Sequence, residues 1–286
     1  MARDDILDNK RKAISFMLIS TFSFTLMQLF IRLAKGIPFY EKVISRDIIS
    51  ILVTLFILTL YKKPIIPKKK NLVIMLIRCF LAVLGTCTYF YSVEKLVMSD
   101  AAMLGKMSIF FITIFAAIFI KEKLNKKSII ILFIIFISAL LIVKPKFDLS
   151  IIPAVIGLLS SVFAGAAWTI LRFLKGKEDA FTIVFLSSLF SIVVIFPFAA
   201  RDYVMPDMEQ LFYLVMIGIN ACLGQIFVTL SYRYAPASQI SIYSYISIIF
   251  ALILGFIFFR EIPDLMSVTG SIIVVSMAYL NYRLIQ

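Results

Sequence analysis

The chain has 286 residues, of which 62% are hydrophobic and 16% charged, with a mean hydropathy of +1.03 and a formal net charge of +13. A soluble domain carries about 45–50% apolar and about 25% charged residues, and 28 Phe spread along the whole sequence leave no stretch polar enough to coat a single core. A soluble globular protein is therefore excluded, and the cations, which cluster between apolar runs, read as determinants of membrane topology rather than as a nucleic-acid surface.

At about 20 residues per crossing, the apolar runs predict helices at 12–33, 39–61, 71–93, 98–120, 127–143, 151–174, 180–200, 209–232, 236–259 and 265–284. The N-terminus is charged up to Lys12 and carries no small-residue cleavage signal, so the first run reads as a retained span. The fifth is the shortest, its apolar core being Ser128 to Val143, and it needs the stems of the preceding lysines to snorkel. Pro236 opens the ninth span, where its missing N–H breaks no helical hydrogen bond. Cys79, Cys87 and Cys222 all lie in apolar segments without CxxC spacing, and the chain has no His. They read as buried inert thiols, and no metal site or cofactor is expected.

With both termini cytoplasmic, the inward segments hold four cations before residue 13, five at 62–70, four at 121–127 and three at 172–177, with Arg233 and Arg283 besides. The outward loops then hold only Lys35, Lys42, Lys95, Lys144, Lys146, Arg201 and Arg260, the asymmetry expected of that orientation.

The sequence also repeats itself. A shift of 139 residues pairs 85–143 with 224–282 at 14 identities in 59 positions, among them Gly85/Gly224, Ser108/Ser247 and Glu122/Glu261, where apolar composition alone supplies roughly 5. A shift of 140 adds Ser20/Ser160, Arg32/Arg172 and Gly36/Gly176. The expected architecture is an all-α membrane protein of ten transmembrane helices, built as two inverted five-helix repeats at 12–143 and 151–284. An odd number of spans per half turns the second copy upside down. The loop after the fourth span, Lys121-Glu-Lys-Leu-Asn-Lys-Lys, becomes Arg260-Glu-Ile-Pro-Asp after the ninth, shedding its positive charge where it would face outward.

This layout, with Ile44-Ser-Arg46 in the second span, Arg78 leading to Gly85 in the third, Ser99-Asp-Ala-Ala entering the fourth, and acidic closes at Glu122 and Glu261, resembles the ten-helix EamA-type drug/metabolite transporters. The resemblance implies a basket of helices around a central cavity lined by spans one, three, four, six, eight and nine, with five and ten at the periphery. It also implies a bacterial inner membrane and a small polar solute carried by alternating access: an amino acid, a nucleotide-like molecule or one like S-adenosylmethionine.

Charged residues inside a bilayer cost several kcal/mol unless they face a cavity or a partner, which singles out Arg46, Asp47, Arg78 and Lys106. Lys106 lies about 12 Å into its span at 1.5 Å per residue and is expected to bind a carboxylate or phosphate. Tyr245, its counterpart under the 139-residue shift, is expected to face it, with Tyr243, Trp168 and Gln225 completing the cavity. Simpler readings stand beside these: Arg46–Asp47 as a helix-fixing ion pair, Arg78 snorkelling to headgroups, and Trp168 in an interface belt. Glu122 and Glu261 read as solvated or loop-pairing residues.

A membrane-embedded enzyme needs a convergent catalytic set, which a chain without His or paired intramembrane acids does not supply. It also has no GxxxxGK[ST] loop for ATP, and no pore-like charge rings. A lipid-linked-carrier flippase or an accessory subunit on the same scaffold is the rival reading, and the sequence leaves open whether the chain works alone or as a homodimer.

Overall fold

The structure, a computed structural model, describes residues 2–119, 121, 130–131, 133–134, 136–138, 151–174, 177–234 and 240–285. Its helices are α1 (Ala2–Leu33), α2 (Phe39–Leu60), α3 (Leu72–Lys95), α4 (Met98–Phe119), α5 (helical at 130–131, 133–134 and 136–138), α6 (Ile152–Leu174), α7 (Ala180–Arg201), α8 (Met208–Tyr234), α9 (Ile246–Phe259) and α10 (Leu265–Ile285). Among the described residues, seven helices are long and apolar enough to cross a membrane, ending with Met208–Tyr232, and Tyr243–Phe259 and Leu265–Met277 are shorter apolar stretches. Most of the expected fifth span, together with Glu122 and Pro236, lies outside the described residues.

Two boundaries differ from expectation. The α1 backbone is helical from Ala2 rather than from residue 12, since charge does not stop a helix that runs on into water, where its polar side chains stay solvated. The ninth span is not α-helical throughout: Ser241–Tyr245 form a 3₁₀ segment before α9 begins at Ile246. Serines at 238, 241, 244 and 247 recur every third residue, the period at which 3₁₀ side chains eclipse.

The elements end where backbone chemistry requires. Lys62 stops α2 at φ 49°, Gly36 turns the α1–α2 connection at φ 80°, and Arg260 closes α9 in the left-handed region at φ 56°. Asp179 caps α7 by accepting the Phe181 N–H at 3.0 Å, satisfying one of the free amides of a helix start.

Helices of the first half pack chiefly on helices of the second: α1 lies along α8, α3 and α4 along α6, and α2 along α7 and α8. With no hydrophobic gain to be had from burying apolar surface away from lipid, small residues and hydroxyls make these contacts. A Cβ on Gly85 would sit 3.2 Å from the Ala164 nitrogen, and one on Gly165 would sit 2.6 Å from the Phe111 Cβ. Serines add hydrogen bonds between helices, Ser20 Oγ to the Gly224 carbonyl at 2.6 Å, Ser45 Oγ to Leu214 at 2.8 Å and Ser231 Oγ to Ala13 at 2.8 Å. Ser161 likewise donates to the Leu104 carbonyl.

Candidate functional site

Buried hydroxyls occur on helices of both halves, but the buried charged side chains Glu41, Lys42, Asp47 and Asp100 lie on α2 and α4. Arg46 on α2 is 22% exposed and its neighbour Asp47 is fully buried. The guanidinium donates to Asp47 Oδ1 from Nε at 2.9 Å and from Nη2 at 2.5 Å, reaches Thr86 Oγ1 on α3 at 3.2 Å, and stands 5.8 Å from the Phe90 ring centroid. The pairing keeps the carboxylate compensated where desolvation is costly.

Gln28, five residues before the end of α1, donates from Nε2 to the Tyr89 hydroxyl at 2.6 Å, and the Tyr89 ring lies against Gly105, where a Cβ would come within 2.9 Å of the ring. This line of contacts runs from α1 through α3 to α4, one residue short of Lys106. Lys106 is half-buried and makes no hydrogen bond or ion pair with any described residue. Several other charges inside the described helices have partners, although Asp47 Oδ2 and Arg78 Nε make no hydrogen bond with any described residue. Lys42 binds Glu94 and the Ile31 carbonyl, and Arg32 binds Glu261.

Lys42 corrects the sequence reading. Expected in an outward loop, its side chain is 3% exposed, because the ammonium reaches both Glu94 on α3 and a free carbonyl at the end of α1. Arg78 does not reach the headgroups either: it binds Ser187 on α7 and lies 3.5 Å from the Ile183 carbonyl, so that it joins α3 to α7.

The expected site residues do not form one cluster. Tyr245 is 7% exposed and packs in an apolar core with Met103 and Met107, which bracket Lys106 on α4. Tyr243 packs instead against Ala13, Met17 and Ile240. Trp168 is 41% exposed. It continues the α6 stripe of Ser161, Ala164 and Gly165 at helical spacing, the stripe that meets α3 and α4. Gln225 is half-buried beside Gly224 on α8.

Sequence reasoning passed over Gln28, Thr86, Tyr89 and Phe90. An amide within an apolar span, as at Gln28, is a signal that was there to be read, whereas the Tyr89–Gly105 contact depends on packing alone.

Long apolar helices whose mutual contacts are glycines and hydroxyls, with charged and amide groups gathered inside, define a multi-pass helical membrane protein. The profile of the EamA-like transporter family matches residues 11–144 and again 151–283, and the chain belongs to that family. It is 29% identical over 273 residues to the pseudopaline exporter CntI of Pseudomonas aeruginosa, covering 94% of this chain and 95% of that one. It is 26% identical to human solute carrier family 35 member G1, over 91% of this chain and 76% of that one. It is 21% identical to an S-adenosylmethionine uptake transporter of Rickettsia bellii, over 82% and 81%. A solved protein structure superposes with a TM-score of 0.66 at 14% identity, covering 96% of this chain and 99% of that one, which extends the likeness to the fold.

Proposed function

We propose that the chain is a secondary transporter that carries a small polar metabolite across a bacterial inner membrane by alternating access, and that Lys106 binds an anionic group of the solute. The observation that carries this reading is the state of Lys106: a half-buried ammonium about 12 Å into α4 with no hydrogen-bond or ion-pair partner among the described residues. An unpaired charge at that depth costs about 2.5–3.5 kcal/mol, and a carboxylate or phosphate that pairs with it returns part of that cost only while bound. Arg46, whose side chain is part-exposed beside Asp47, supplies a second cationic contact. Gln28 and Tyr89 orient the solute's polar groups, and Trp168 offers an aromatic face.

Two family matches in one chain support an origin by duplication. So does the packing: exchanging the halves carries the α1–α8 pair onto α6–α3 and returns α2–α7 and α4–α9 to themselves. Inverted halves can exchange conformations about a central site. One relative carries the name of an exporter and another that of an uptake transporter, so direction is not part of the proposal.

The test is a thermal-shift screen of the purified protein against amino acids, nucleotides, S-adenosylmethionine and polyamines, since a ligand of the folded state raises stability by RT ln(1 + [L]/Kd). An anionic hit that disappears in Lys106→Ala is the expected result. A hit that survives this substitution removes Lys106 from the site, and hits confined to polyamines overturn the anion reading.

A further inference from the structure

We propose that Arg32 and Glu261, with the first turn of α4, form a latch that closes the solute path at the end of the bundle where α1 stops, the upper end. The inference rests on the reading of the chain as an alternating-access transporter.

The two side chains meet in fork geometry. Arg32 Nη1 donates to Glu261 Oε2 at 2.6 Å, and Nη2 stands 2.5 Å from Oε1. The same Oε2 accepts the Met98 backbone N–H at 3.0 Å, one of the amides that a helix start leaves without an intrahelical partner, so a carboxylate sits at the positive end of α4. The guanidinium lies 4.3 Å from the centroid of the Phe259 ring.

The backbone is shaped to deliver Glu261 there. Arg260 turns the chain in the left-handed region, and the Glu261 N–H then bonds the Gly255 carbonyl at 3.2 Å. Any side chain at Gly255 would begin 3.4 Å from both Glu261 Oε2 and the Met98 Cβ. One carboxylate thus holds together the end of α1, the start of α4 and the end of α9.

Among the described residues, this is the ion pair that joins the two halves at the upper end, since Lys42–Glu94 lies within the first half. Its side chains are 15% and 16% exposed, enough for water to replace each partner as they part. A contact of that kind can break and re-form during a cycle, unlike a fully desolvated pair. The duplication aligns Arg32 with Arg172 and Glu261 with Glu122, so the sequence carries the same two residue types at the corresponding places of the other half.

The test needs no known solute. In a full-length protein with Cys79, Cys87 and Cys222 replaced by Ala, Lys106→Cys is the reporter. The membrane-impermeant reagent sulfonatoethyl methanethiosulfonate is added to one face of membrane vesicles at a time. With the latch intact, labelling from the upper side is slow. Arg32→Ala or Glu261→Gln is expected to raise that rate about tenfold, the population change that loss of one charge-assisted hydrogen bond produces, while labelling from the opposite side does not rise. Glu261→Gln keeps a hydrogen-bond acceptor for Met98 and for Arg32, so it preserves the fold if Arg32→Ala does not. Unchanged upper-side rates in the folded variants overturn the latch and leave the transporter reading standing. A reporter that reacts from neither side in any variant removes the water-filled path at Lys106, and with it both readings.

Discussion

Replacing Gly165 by Ala tests whether α4 and α6 are held together by backbone approach. The new Cβ would lie 2.6 Å from the Phe111 Cβ and 3.2 Å from both the Ile112 nitrogen and the Phe111 carbonyl carbon. Carbon contacts settle at about 3.5–4.0 Å, so the two helices must part by about an ångström, and two of the three obstructing atoms are backbone. Overpacking of this kind costs about 1–3 kcal/mol. Moving α4 also stretches the hydrogen bond from Ser161 to the Leu104 carbonyl, a further ~1 kcal/mol, and the better helix propensity of Ala returns about 1 kcal/mol. The net loss is about 1–3 kcal/mol, or a fall of about 3–9 °C in the unfolding midpoint for a chain of this size. Gly224→Ala is the control. The three atoms nearest its Cβ are ring atoms of Phe24 at 2.9 Å, and a side chain can pivot, so its midpoint is expected to move by less than about 3 °C. In a background with Cys87 and Cys222 replaced by Ala, a fluorogenic maleimide that reports exposure of the buried Cys79 thiol follows the transition without relying on Trp168, three residues from the substitution. A Gly165→Ala midpoint equal to or above wild type, or a larger fall in Gly224→Ala, would refute the reasoning.

Lys106→Met is expected to raise the midpoint of the solute-free protein by removing an unpaired intramembrane charge, by about 1–3 kcal/mol, while abolishing the anion-dependent shift; a fall in stability would mean that the ammonium has a structural partner. Glu94→Gln leaves the 3%-exposed Lys42 without its counter-charge and is expected to cost about 3 kcal/mol, read as a lower midpoint. Lys42→Met combined with Glu94→Leu should recover most of that loss, and failure to recover would show that the two charges do not act as a pair. Asp47→Asn removes the countercharge of Arg46 and is expected to cost about 3–5 kcal/mol, measured as loss of monodisperse protein in detergent or as a fall in midpoint, and wild-type behaviour would move Arg46 to another partner.

Much of the bundle was legible in the residues because crossing a bilayer demands long uninterrupted apolar runs, and α2, α4, α6 and α7 begin and end within a residue or two of the predicted limits. Lys42 was misplaced because its position follows from a side-chain stem reaching back to Ile31 and across to Glu94, a contact between three helices that no local pattern encodes. Arg78 was read as free to snorkel for the same reason, its partner Ser187 lying 109 positions away. Arg46–Asp47 was legible as a pair, since the long arginine stem can reach back to its neighbour's carboxylate, but Thr86 and Phe90 entered only with the packing of α2 on α3. Glu261 was expected to be solvated or to pair within its loop region, and its reach to Arg32 and Met98 shows how a positive-φ residue redirects the chain beyond what composition implies.

The 3₁₀ segment before α9 bears on the length of the ninth span. Fourteen residues of α-helix from Ile246 to Phe259 rise about 21 Å, short of the ~30 Å hydrocarbon core. Five residues at the 3₁₀ rise of about 2.0 Å add about 10 Å, so Ser241–Tyr245 and α9 together rise about 31 Å. The same five residues wound as α-helix would be about 2.5 Å shorter and, at 100° rather than 120° per residue, would turn one end of the segment by about 100° relative to the other. Tyr243 and Tyr245 therefore sit on a stretch of chain in which a small change in pitch is converted into a quarter turn of whatever is attached to it.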